Sequence, residues 1–88
     1  MYTVDYRKSV EKQFFKLAKK NPDRLRFILE KIDEISFNPH RYKNLRKPLQ
    51  HLKRVHVDSS FVIVFSVDEN EKKIIIEDYD HHDNIYGG

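Results

Sequence analysis

Cysteine is missing from this 88-residue chain, which excludes a disulfide framework and a thiolate metal site. Long apolar runs are missing too. The longest are Phe61–Phe65 and Ile74–Ile76, far short of the ~20 residues that a membrane-spanning helix needs. Met1–Lys12 shows no apolar core of a signal peptide, so a cytoplasmic protein is expected. No repeat or low-complexity segment is visible. Acid is missing over one stretch, Ile35–Val57, which contains no Asp or Glu.

That last absence is the informative one. Within it, Arg41–His56 reads RYKNLRKPLQHLKRVH, with six Lys or Arg and two His in sixteen residues. The remaining residues hold 11 Lys and Arg against all 14 acids. The net charge of +3 is therefore a local property. Concentrated positive charge on a small domain favours phosphate or an acidic partner. At 39% hydrophobic and 12% aromatic the composition is globular, and the length suits one domain over residues 1–88.

Periodicity supplies the elements. Tyr2, Val4 and Tyr6 alternate with Thr3 and Asp5, which predicts a short strand. Ser9 is the expected N-cap of a first helix, with Glu11 in its first turn. Val10, Phe14, Leu17 and Ala18 follow at helical spacing. Asn21-Pro22-Asp23 opens a second helix, with Asn as cap and Pro at its first position. Leu25, Ile28, Leu29, Ile32 and Ile35 form its apolar stripe, and Asn38-Pro39 ends it. The turn between them is short, which predicts an antiparallel helical pair. Leu52–Val57, Phe61–Val67 and Lys73–Tyr79 read as strands separated by Asp58-Ser59-Ser60 and Asp68–Lys72. The middle one is apolar on both faces, hence central. The expected fold is α+β in the order β-α-α-β-β-β, with the helical hairpin on one face of an antiparallel sheet. The six Phe are expected to be mostly core, although adjacent Phe14 and Phe15 cannot face inward equally.

Strand parity then bears on chemistry. If Val55 and Val57 face the core, Arg54 and His56 point to the open face with Leu52. A guanidinium can hold phosphate oxygens in bidentate fashion, and an imidazole suits proton transfer near neutral pH. The basic residues Arg41, Lys43, Arg46 and Lys47 lie at the edge of that face, with Lys53 on the strand itself. Val62 and Val64 are expected on the open face, either as an apolar patch for a partner or packed beneath the C-terminal segment. His81, His82 and Asp83 are adjacent, which makes a poor ligand set, so no metal is expected.

Several local features, taken in order, resemble the RelE/ParE toxin superfamily, and its RelE branch more closely. Lys47-Pro48-Leu49 precedes the second strand. His56-Val57-Asp58 leads through a tight turn into Phe61–Phe65. The tail Asp80–Tyr86 resembles a Gly-His-Arg-x-x-Val-Tyr ending. The resemblance covers nearly the whole chain. It implies a toxin of a toxin–antitoxin pair that cuts messenger RNA in the ribosomal A site without a metal or other cofactor. It also implies a small antitoxin whose acidic segments neutralise the basic face, in a hetero-oligomer. Arg54, His56, His82 and Tyr86 are then the expected catalytic residues. Arg41, Lys43, Arg46, Lys47 and Lys53 are the expected RNA contacts. One departure stands out: Val62 occupies the place where relatives often carry an Arg against the scissile phosphate. It leaves two alternatives open, a non-catalytic ParE-like inhibitor of DNA gyrase and a degenerate toxin that only binds antitoxin or RNA.

Overall fold

The structure is a computed structural model that describes residues 1–86. Strand β1 (Thr3–Tyr6) leads into helices α1 (Lys8–Lys20) and α2 (Pro22–Phe37). A single 3-10 turn, Pro39–Arg41, and a long loop follow. Strands β2 (Lys53–His56), β3 (Phe61–Asp68) and β4 (Lys73–His81) form a meander, and a four-residue helix α3 (His82–Ile85) closes the described chain. No helix among the described residues is long and apolar enough to cross a membrane.

The sheet order is β1-β4-β3-β2, so the doubly apolar β3 is internal, as its composition predicts. The meander is antiparallel, while β1 joins β4 in parallel. That departure from an all-antiparallel sheet follows from the helical hairpin. The Tyr2 N–H donates to the Ser36 C=O at 3.0 Å, so α2 ends beside the start of β1. β2 therefore runs in the direction of β1, and two reversals later β4 does too.

Local chemistry explains the helix ends. Asn21 ends α1 and caps α2, its Oδ1 accepting the Arg24 N–H at 3.1 Å. Ser9 does not cap α1. Arg7 takes the N-cap position without a side-chain bond. Its own N–H is still committed to the Ile76 C=O at 3.1 Å, so strand passes into helix with no residue to spare for a polar cap.

Two apolar clusters lie on the two faces of the sheet. On the helical side, Val10, Phe14, Ile28, Ile32 and Ile35 meet Val57, Ile63, Phe65, Ile74, Ile76 and Tyr79. On the other side, Leu45, Val62 and Val64 pack with Leu52 and Ile85. The expected open apolar patch is thus covered: Val62 and Val64 are 0% and 3% exposed. Of the six Phe, Phe14, Phe61 and Phe65 join the main core, whereas Phe15, Phe27 and Phe37 are exposed, because they fall off the inward stripes of their helices.

A bulge in β4 decides what the open face displays. Val64 pairs with Asp78 but Phe65 pairs with Ile76, leaving Glu77 as the extra residue. The parity of β4 flips there. Ile74 and Ile76 face the main core, and so does Tyr79. Asp78 and Asp80 instead sit across from Val64 and Val62.

Candidate active site

The basic loop is built rather than loose. The Leu45 N–H donates to the Leu52 C=O at 2.8 Å, and two 2.9 Å bonds, Leu49 to Arg46 and Leu52 to Leu49, coil the residues between. Asn44 Nδ2 donates to the Gln50 C=O at 2.7 Å, and the Arg54 N–H donates to the Lys43 C=O at 3.0 Å. Buried Leu45 plugs into the valines of β3. Loop and β2 together bound a cleft of about 600 Å³, lined by Arg46, Lys47, Arg54, His56 and Tyr86 over an apolar base of Leu45, Leu49 and Ile85.

The C-terminal segment folds back onto this wall. The His82 N–H donates to the Ser60 C=O at 2.7 Å, and the Tyr86 N–H to the His82 C=O at 2.9 Å. Ile85 packs on Val62 and Val64. Aromatic rings from two distant segments then meet. His56 stacks on Tyr86 with centroids 6.2 Å apart and a 30° interplanar angle. The His56 and His82 rings are 6.5 Å apart, and His82 and Tyr86 are 6.4 Å apart. The Arg54 guanidinium carbon lies 5.7 Å from the Tyr86 ring centroid. All four residues expected to be catalytic are in one place.

The expected RNA contacts divide. Arg46 and Lys47 line the cleft. Lys43 and Arg41 are exposed on the chain leading into it, Arg41 lying over the Tyr42 ring at 5.3 Å. Lys53 has internal work instead: its Nζ donates to the Tyr42 C=O and to Asn44 Oδ1, both at 3.1 Å. It fastens the loop to β2 while its neighbour Arg54 faces the cleft.

The register clarifies the Val62 departure. His56 is the direct cross-strand partner of Val62, as Arg54 is of Val64. The imidazole and guanidinium stand beside the strand that lacks a cation. On the other side of the same valines lie Asp80 and Asp78. The open face therefore grades from cationic at β2 through apolar at β3 to acidic at β4. Asp80 Oδ1 accepts the His81 N–H at 2.7 Å and Asn84 Nδ2 at 3.1 Å. Asp83, not Asp80, is the carboxylate at His82, 3.1 Å from its Nδ1.

His81 lies between the His82 ring, on which it stacks with centroids 5.0 Å apart, and the Phe61 ring, 5.7 Å distant in a T-shaped arrangement; its Nδ1 accepts the Asp83 N–H at 3.2 Å. Even so, His81, His82 and Asp83 each offer one donor atom within 4.8 Å of the others. These three side chains could share a cation, a convergence that adjacency alone did not suggest. His40 and His51 are not part of the site. His40 bonds Glu69 Oε2 at 2.8 Å at the far end of the sheet, and His51 is exposed on the loop. The sequence reading missed the apolar floor of the cleft. Its signal was present in Leu45 and Leu49, two leucines inside an otherwise basic run.

No family model matches the chain. A protein of Methanocaldococcus jannaschii that carries the name of a candidate toxin, RelE4, is 55% identical over 86 residues, which is 98% of this chain and 92% of its own length. An uncharacterised protein of Methanosarcina mazei is 57% identical over 86 residues, 98% of this chain and 100% of its own. Among solved structures, a chain of the RelBE2 toxin–antitoxin complex of Mycobacterium tuberculosis superposes with a TM-score of 0.76 at 23% identity, over 91% of this chain and 96% of its own. The isolated E. coli RelE toxin gives 0.67 at 17% identity, over 92% and 84%. At these identities the solved structures show the fold.

Proposed function

As this chain belongs to the RelE family of toxins from toxin–antitoxin systems, we propose that its cleft cuts messenger RNA in the ribosomal A site. The observation that carries this reading is the convergence of Arg54 and His56 from β2 with His82 and Tyr86 from the tail.

The chemistry needs no group from outside the chain and its substrate. One imidazole, neutral, takes the proton of the ribose 2′-hydroxyl, and that oxygen attacks the adjacent phosphorus. The bond from phosphorus to the 5′-oxygen breaks, and the other imidazole, protonated, donates to the departing oxygen. A 2′,3′-cyclic phosphate and a 5′-hydroxyl result. Two imidazoles are competent for this because the ordinary His pKa lies near neutrality. Arg54 stabilises the charge that builds on the phosphoryl oxygens, and Arg46 and Lys47 hold flanking phosphates. Tyr86 offers a face for a base, a contact that contributes about 1–3 kcal/mol in single-strand binding. The placement of His56 opposite Val62 supports compensation: charge that relatives carry on the central strand comes here from the strand beside it. The proposed setting is the cytoplasm, where the ribosome and an acidic antitoxin are the partners.

The test is cleavage of a message in programmed ribosomes. His82→Ala and Arg54→Ala are each expected to slow cleavage at least about tenfold, roughly 1.4 kcal/mol of transition-state stabilisation. Wild-type rates in both variants would remove these residues from the mechanism, and an intact message under conditions where E. coli RelE cleaves would remove the mechanism. The apolar Val62 also favours a second reading, a non-catalytic ParE-like gyrase inhibitor; loss of supercoiling activity on adding the protein to gyrase is its distinguishing result.

A further inference from the structure

His82 reaches the site from the tail rather than from the sheet. It opens α3, a helix of only four residues, and its ring is half-exposed. Its backbone is nevertheless held by a short hydrogen bond, the one to the Ser60 C=O at 2.7 Å. Ser60 lies in the β2–β3 turn, so whatever shapes that turn also sets the place of His82.

The turn is shaped by a side chain from outside the cleft. Asp58 Oδ1 accepts the N–H of Ser60 at 2.7 Å and of Phe61 at 2.8 Å. Its second oxygen accepts from Arg24 Nη1 at 2.6 Å. Arg24 comes from α2 and is itself fixed twice more, donating from Nη2 and Nε to the Tyr79 hydroxyl at 2.9 and 3.3 Å. Its guanidinium lies 5.4 Å from the Phe61 ring centroid. Phe61 in turn stacks on Tyr79 with centroids 5.1 Å apart and receives the edge of His81. The same two turn residues, Ser60 and Phe61, thus touch Asp58 on one side and His82 and His81 on the other.

We propose that Arg24 and Asp58 are a positioning pair that sets His82 against His56 through the Ser60 carbonyl. The inference rests on His82 acting in RNA cleavage, as argued above. Neither Arg24 nor Asp58 lines the cleft; they line a separate hollow between the helices and the turn. They act on the reaction only through the turn. The Asp58 carboxyl is held down to about 2, first by its bonds to the Phe61 and Ser60 amides and then by Arg24, so the pair stays charged over the working range of pH. A guanidinium suits the task because it can serve the carboxylate and the tyrosine hydroxyl at once from a planar fork.

The experiment compares Asp58→Asn, Arg24→Gln and Arg24→Lys with wild type, and with Asp5→Asn, which breaks only the surface pair to Lys73. Cleavage at saturating ribosomes is read together with ribosome affinity, and the His82 amide and imidazole resonances are compared in the free proteins. The titratable and charged groups around that ring are Asp83, His81, His56 and Tyr86. Asp58→Asn and Arg24→Gln are expected to slow cleavage about tenfold with affinity changed less than about twofold, and to shift the His82 resonances. Arg24→Lys, which keeps a cation for Asp58 but loses the fork to Tyr79, is expected to recover part of the rate; Asp5→Asn is expected to match wild type. If Asp58→Asn does not fold, Arg24→Gln decides, since it leaves the turn's own bonds to Asp58 in place. Unchanged His82 resonances in a folded variant, or equal rates for Arg24→Gln and Arg24→Lys, would overturn the proposal. Should wild type not cleave at all, the nuclease reading falls, while the His82 resonances of the free variants still decide the positioning.

Discussion

The two faces of the sheet are built on different scales. The helical face buries eleven residues in one continuous cluster. The opposite face buries three, Leu45, Val62 and Val64, under a coiled loop and a short tail. Both lie against the same β3, whose side chains alternate between them. Burial scales with stability, so the helical face carries the fold. The thin cluster does something narrower: it seats a basic loop and a histidine-bearing tail on either side of a cleft. A small core is enough to position side chains when a large one beneath already holds the sheet.

Substitutions can break that comparison. Phe65→Ala, at 0% exposure in the main cluster, is expected to cost about 3–5 kcal/mol. For a domain of this size each kcal/mol lowers the melting temperature by about 4–8 °C. Leu45→Ala, in the thin cluster, is expected to cost about 2 kcal/mol, because a site near solvent collapses more easily. Equal losses in denaturant titrations would show that both faces carry the fold. Smaller still in stability are His82→Ala and Arg54→Ala, each expected within about 0.5 kcal/mol of wild type despite the slower cleavage proposed for them. A large stability loss there would mean that the tail is part of the core rather than an instrument mounted on it.

Acid sharpens the same contrast. Asp58 and Glu69 are both depressed to about 2 from ordinary values of 3.8 and 4.5, Asp58 by turn amides and Arg24, Glu69 by Tyr2, His40 and Lys72. A carboxylate depressed on folding stabilises above its unfolded pKa, and that contribution fades as pH falls through the folded one. Stability is therefore expected to decline from about pH 4.5 down to pH 2, with Asp58→Asn flattening part of the slope. A slope unchanged in Asp58→Asn would show that the turn's ion pair does not contribute. Both carboxylates tie down loops at the ends of the sheet, outside the cleft.

Much of the fold was legible because its signals are local. Asn21-Pro22 caps a helix wherever the rest of the chain goes, and β3 reads as central because both its faces are apolar. What was not legible depends on partners distant in sequence. The parallel pairing of β1 with β4 depends on where α2 delivers the chain. The bulge at Glu77 flips Tyr79 inward and Asp78 outward, and nothing in the alternation of Ile74–Ile76 announces it. Ser9 looked like a cap, but Arg7 was still bonded to the sheet.

For the site, the sequence alone determined that positive charge is concentrated in Arg41–His56 and that Arg54 and His56 share one side of β2. Strand parity has a period of two and needs no knowledge of neighbours. The tertiary structure decided that His82 and Tyr86 return to that side, that Lys53 is spent fastening the loop, and that Val62 lies between His56 and Asp80. These depend on hydrogen bonds and pairings between separate segments, such as His82 to Ser60. Such contacts form only once the main core has fixed where the strand ends lie.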